Sequence, residues 1–179
     1  MNYGEQLKAV AQHLVSVDPI MLKKAQDMMT AAAARGGKVI LAGNGASAAI
    51  ASHVAVDLTK AAGVRAVNFN EADLITCFAN DYGYEHWVEK ALDFYADDKD
   101  VVILISSSGE SKNIVNAAAR VKAKGLKLIT LSGFRQDNKL KESGDINFWV
   151  NSTEYNVVET VHQAWLLAIV DQIAAEKDK

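Results

Sequence analysis

Residues 101–124 read VVILISSSGESKNIVNAAARVKAK. The run Val101 to Ile105 is entirely apolar and rich in valine and isoleucine, the composition of a strand buried on both faces, as strands of a parallel sheet are. Ser111 to Lys124 is alanine-rich and amphipathic at helical spacing. Between them stands a short loop of serines and one glycine, so the segment reads strand, polar loop, helix. Upstream the same order recurs: an apolar run Lys38 to Ala42, the loop Gly43-Asn44-Gly45-Ala46-Ser47, and an alanine-rich stretch Ser47 to Lys60. Further strand-length apolar runs cover Val64 to Phe69, Leu126 to Leu131 and Ile146 to Val150. Strands alternating with helices predict a doubly wound α/β fold with a mainly parallel five-stranded sheet flanked by helices.

The ends of the chain are helical. Leu7, Val10, Leu14 and Val15 fall at helical spacing, and Asp18-Pro19 is an N-cap followed by proline at the first helical position. Gly36-Gly37 closes that second helix, so 1–36 is a helical N-terminal segment. Val157 to Ala175 predicts one long apolar helix at the C-terminal end. With 179 residues and no linker or repeat, the expectation is a single domain over 1–179.

Half of the residues are hydrophobic and 23% are charged, as in ordinary globular proteins. A formal net charge of −3 with scattered lysines gives no basic stripe, which argues against direct nucleic-acid binding. No apolar stretch approaches the roughly 20 residues of a membrane span and the first residues lack a signal-peptide pattern, so a cytoplasmic location is expected, with no membrane. The single cysteine, Cys77, is expected to be buried as a small apolar side chain. The run Asp97-Asp98-Lys99-Asp100 is expected to be a solvated turn.

In parallel α/β sheets ligands bind beyond the carboxyl ends of the strands, where the free N–H groups of helix starts face an anion. Asn44, Gly45 and Ser47 in the first loop, and Ser106, Ser107, Ser108 and Ser111 in the second, are therefore candidates for holding a phosphate. Serines also cap helices and shape turns, and either use fits the second loop taken alone. Gly43, Gly45 and Ala48, with Glu71 further on, also satisfy a dinucleotide fingerprint, but an oxidoreductase of that kind leaves the serine loop without a role.

Gly43-Asn44-Gly45-Ala46-Ser47, Asn80-Asp81-Tyr82-Gly83, Ser106-Ser107-Ser108-Gly109-Glu110-Ser111 and Leu128-Ile129-Thr130-Leu131-Ser132-Gly133 resemble, in that order, sugar isomerase (SIS) domains of the phosphoheptose isomerase type. The resemblance implies a homotetramer with active sites shared between subunits and a sugar-phosphate ligand. It implies phosphate binding by Ser106, Ser108 and Ser111, and substrate contacts from Asn44 to Ser47 and from Asn80 and Asp81. It further implies a zinc site, for which His53, Asp57 and Glu159 are the available candidates. That set is incomplete: Asp57 replaces a glutamate, Glu159 stands where the family has a glutamine, and the family's second histidine falls at Leu167. Zinc is therefore a possible cofactor only, and none is certain.

Interconverting an aldose and a ketose moves a proton between adjacent carbons through an enediol, which needs a base and a group that stabilises the neighbouring oxygen. His53 and Asp57, four apart, share a helix face, as do Glu159 and His162, three apart. Charges on an otherwise apolar helix are costly unless used. The expectation is that Glu159 is the base and His162 its acid partner, aided by Asp57, with a structural or subunit contact as the other reading of that pair. The function expected is a phosphosugar isomerase acting on sedoheptulose 7-phosphate or a related heptose phosphate. The alternative is a non-catalytic, sugar-phosphate-binding regulator of the replication-initiator-associating type, which the absent histidine favours.

Overall fold

A computed structural model describes residues 2–177; residues 1, 178 and 179 of the expected domain lie outside the described residues. Two helices come first, α1 (Tyr3–Leu14) and α2 (Pro19–Ala34), followed by β1 (Val39–Gly43), α3 (Ala46–Lys60) and β2 (Ala66–Asn68). Then come α4 (Ala72–Tyr82), α5 (Trp87–Tyr95), β3 (Val101–Ser106), α6 (Lys112–Ala123), β4 (Lys127–Ser132), β5 (Ile146–Trp149) and α7 (Tyr155–Lys177). Asp18 caps α2 as its sequence predicts, accepting from the Ile20 N–H at 2.9 Å with Pro19 in the first turn. The Asn2 and Glu5 side chains close a capping box on α1.

The five strands form one sheet in the order β2-β1-β3-β4-β5, and every neighbouring pair is parallel. Every residue of β1 and β3 is buried because helices cover both faces. Strand alternation sorts the core into two layers. Leu41, Ile103 and Ile129 meet Leu58, Val161 and Ile169 on the side of α2, α3 and α7. Ile40, Leu104 and Leu128 meet Leu92, Ile114 and Val121 on the side of α5 and α6.

Three features depart from the sequence-based expectations. The stretch after β2 folds as the two helices α4 and α5, which were not separately predicted. No residue of α4 is buried, so Cys77 on it is exposed rather than buried. Asp100, expected in a solvated turn, is buried: it accepts from the Lys38 backbone N–H at 2.8 Å and the Lys38 ammonium at 2.6 Å, tying the start of β1 to that of β3. No helix among the described residues is long and apolar enough to cross a membrane.

Candidate anion and sugar site

From β1 the chain winds through α3 to β2 on one side, then returns to place β3 on the other. The loops leaving β1 and β3 therefore diverge, and the crevice between them is the switch point at which such sheets bind ligands. Gly43 pairs with Ile105 in the ladder, so both loops start at the same level. Gly43 cannot carry a side chain here, since an added Cβ would lie 2.7 Å from the Ser47 backbone carbon and Cβ. In the second loop Gly109 has φ 69°, and a Cβ there would strike the Asn138 side chain, which is fully buried and donates to the Gly133 and Arg135 carbonyls.

The N-caps of α3 and α6, Gly45 and Ser111, make no side-chain capping bond; the Ser47 and Ala48 N–H groups turn to the Asn44 and Gly45 carbonyls at 3.0 Å, which leaves the N–H groups of Ala46 in α3 and of Lys112 and Asn113 in α6 available to an anion. Ser106 Oγ donates to Ser111 Oγ at 3.1 Å, and Ser108 Oγ accepts from the Glu110 N–H at 3.2 Å. Local turn-shaping thus accounts for Ser108 but not for the hydroxyls of Ser106 and Ser111. Asn44, Ser47, Ser106, Ser107, Ser108 and Ser111 line one pocket of about 120 Å³, together with Tyr155 and Glu159. That volume is below the ~300–1,000 Å³ of a typical small-molecule site. It suits the phosphate end of a ligand and leaves the remainder outside.

The last helix closes the pocket. Ser107 Oγ donates to Glu159 Oε1 at 3.1 Å. His162, expected beside Glu159, instead points into the core: it is fully buried, with Nε2 3.0 Å from the Ser132 carbonyl oxygen and Nδ1 without a partner among the described residues. Desolvation lowers its pKa to about 4, against the opposing pull of the Ser132 carbonyl. With His162 turned to the Ser132 carbonyl and Glu159 to Ser107, the Glu159–His162 pairing is not formed.

His53 and Asp57 do meet, Nε2 to Oδ2 at 3.1 Å, and the Gln163 side-chain amide lies 3.0 Å from His53 Nδ1. Both ring nitrogens of His53 are thus engaged by protein groups, Glu159 is turned to Ser107, and Leu167 offers no donor atom. Among the described residues no three His, Cys, Asp or Glu side chains converge as a metal-binding group. These side chains do not fit a zinc cage within one chain. Asn80 and Asp81 are exposed on α4, where Asn80 Nδ2 donates to Asp81 Oδ1 at 2.9 Å, and they do not line the pocket of their own chain.

Four residues near the site escaped the sequence reading: Tyr155, Gln163, Asn113 and Tyr84. Asn113 and Asn44 exchange two hydrogen bonds, each 2.9 Å, and the Tyr84 hydroxyl donates to Asn44 Oδ1 at 3.2 Å. Asn113 sits two residues beyond Ser111, and Tyr155 and Gln163 each stand one helical turn from Glu159, proximities that could have drawn attention; Tyr84 carries no local signal.

Fold and crevice define a doubly wound α/β protein with an anion-receptive switch point built from two helix-initiating loops. Residues 2–133 match the SIS domain family, and the chain belongs to it. It is 31% identical over 159 residues to a phosphoheptose isomerase of Helicobacter pylori, covering 86% of this chain and 82% of that protein. A phosphoheptose isomerase of Syntrophotalea carbinolica is 30% identical over 182 residues, covering 98% and 92%. The structure of phosphoheptose isomerase GmhA from Neisseria gonorrhoeae superposes with a TM-score of 0.88 at 26% identity, covering 97% of this chain and 95% of that one.

Proposed function

We propose that this protein is a phosphosugar isomerase that interconverts an aldose and a ketose phosphate of the sedoheptulose 7-phosphate type through an enediol. The observation that carries this reading is the Ser106–Ser111 pocket with the carboxylate of Glu159 at its wall. The serine hydroxyls and the free N–H groups of Ala46, Lys112 and Asn113 at the starts of α3 and α6 hold the phosphate. With the sugar chain folded back along α7, Glu159 takes the proton from it, and the His53–Asp57 pair on α3, which meets α7 at Gln163 one helical turn beyond Glu159, is the second polar group available to the sugar end. His162 holds α7 against β4 and has no place in the proton transfer. No step runs through zinc.

The enzyme acts in the cytoplasm as a homotetramer whose subunits share sites. The shared sites are supported by a pocket too small for a whole heptose phosphate, by Asn80 and Asp81 lying exposed outside it, and by an α4 with no fully buried residue. The test is incubation with sedoheptulose 7-phosphate in D₂O. Deuterium at C1 of the ketose and C2 of the aldose product supports isomerisation, and absence of both removes it. A second reading, a sugar-phosphate-binding regulator without turnover, is favoured by Leu167 and by the burial of His162. In that case the same ligand raises the melting temperature at millimolar concentration, yet no label is incorporated.

A further inference from the structure

Asn44 is the residue of the first loop whose side-chain amide reaches across to the second loop's helix. It lines the anion pocket, and its Nδ2 donates to Asn113 Oδ1 while its Oδ1 accepts from Asn113 Nδ2, both at 2.9 Å. In this cyclic pair neither amide can turn over alone without setting N–H against N–H and oxygen against oxygen. Tyr84, from the segment after α4, donates to the same Oδ1 at 3.2 Å and fills its second lone pair. What remains to Asn44 is one N–H. Asn113 itself stands behind Asn44, 2% exposed, in the first turn of α6.

We propose that Asn113 is a positioning residue that, with Tyr84, fixes Asn44 as a pure hydrogen-bond donor toward an oxygen of the phosphorylated ligand, and so locks the two anion loops into one receptor. The inference rests on the proposed sugar-phosphate reading of the pocket. It adds to that reading a chemical requirement: the ligand atom opposite Asn44 is an acceptor, a phosphoryl or carbonyl oxygen.

The experiment is a double-mutant cycle on the full-length protein, with sedoheptulose 7-phosphate binding measured calorimetrically. Asn113→Ala and Asn44→Ala each weaken binding about 10-fold, the worth of one hydrogen bond to a charged acceptor. The double variant binds no more weakly than Asn44→Ala alone, because Asn113 acts only through Asn44. A merely structural Asn113 gives additive losses, and that outcome, or unchanged binding in Asn113→Ala, overturns the proposal. Tyr84→Phe covers the case in which Asn113→Ala does not fold: Tyr84 is 55% exposed, and removing its hydroxyl leaves the core untouched. Its variant weakens binding about fivefold in the wild-type background and not at all in Asn44→Ala, a neutral hydrogen bond being worth about 1 kcal/mol; equal effects in both backgrounds overturn it. Wild-type protein that binds no sugar phosphate removes the underlying reading as well, whereas wild-type binding with additive losses removes only the role of Asn113.

Discussion

Ser107 Oγ donates to Glu159 Oε1 at 3.1 Å across 52 residues of sequence, joining the anion loop after β3 to the second turn of α7. A group that completes the wall of the pocket lined by Ser106 to Ser111 is thereby also a carboxylate, and the two consequences have opposite signs. A negative charge beside the pocket repels phosphate, while the same charge is what proton abstraction requires.

Glu159→Gln keeps an oxygen for Ser107 and removes the charge. Turnover of sedoheptulose 7-phosphate is expected to fall about 10²–10⁴-fold, the usual worth of a general base. Affinity for inorganic phosphate is expected to rise severalfold, roughly the 1 kcal/mol of a like-charge contact at a solvated surface. Steady-state kinetics and phosphate titration read the two effects separately. Retained turnover with tighter phosphate would move the base to Asp57.

Ser111→Ala separates ligand binding from helix capping. Ser111 makes no side-chain cap and its one side-chain bond is from Ser106 Oγ, which lines the pocket, so the melting temperature is expected to fall only slightly. Sugar-phosphate affinity is expected to drop by roughly 1.5–3 kcal/mol, about 10- to 100-fold, as for a lost hydrogen bond to a charged group. A thermal scan with and without ligand checks both. A lower melting temperature with unchanged affinity would make the serine a cap after all.

Gly43→Ala places a methyl 2.7 Å from the Ser47 backbone, where only main-chain movement can make room. The expected cost is about 1–3 kcal/mol of stability, as for other forced overpacking. Phosphate affinity should fall with it, since the first turn of α3 must shift away from the pocket. Urea denaturation and ligand titration on the same variant measure the pair of effects.

His162 makes stability depend on pH. Its pKa is lowered to about 4 from 6.5 by burial, so the folded state resists protonation while the unfolded chain accepts it. The stabilisation is complete above pH 6.5 and is lost progressively as pH falls toward 4. Between pH 7.5 and pH 5 the loss from this one group is about 2 kcal/mol. Urea midpoints at the two pH values, compared with those of His162→Gln, isolate it: the variant should show a smaller acid loss by that amount.

Much of the architecture was legible along the chain because its causes are local. The continuous apolar runs at 39–43 and 101–106 require burial on both faces, and the glycines and serines that follow them mark strand-to-helix loops. Asp18 before Pro19 announces a helix start by its own chemistry. The residues 72–95 were opaque for the opposite reason. α4 has no fully buried residue: Leu74, Ile75 and Phe78 pack half-buried against the core while Cys77 faces solvent, so which side is covered depends on elements distant in sequence.

Residue spacing placed Glu159 and His162 on neighbouring positions of one helix, but three residues turn a helix by about 300°, and a small rotation of α7 decides which of them meets a pocket and which meets the core. Packing of α7 between α3 and the sheet set that rotation, giving Glu159 to Ser107 and His162 to the Ser132 carbonyl. The sequence by itself determined the alternation of strands and helices and the two glycine- and serine-rich strand-to-helix loops, since each depends on contiguous residues. Tertiary structure alone decided the pairing of Asn44 with Asn113, of His53 with Gln163 and of Ser107 with Glu159, because those contacts exist only once segments 69, 110 and 52 residues apart are packed side by side.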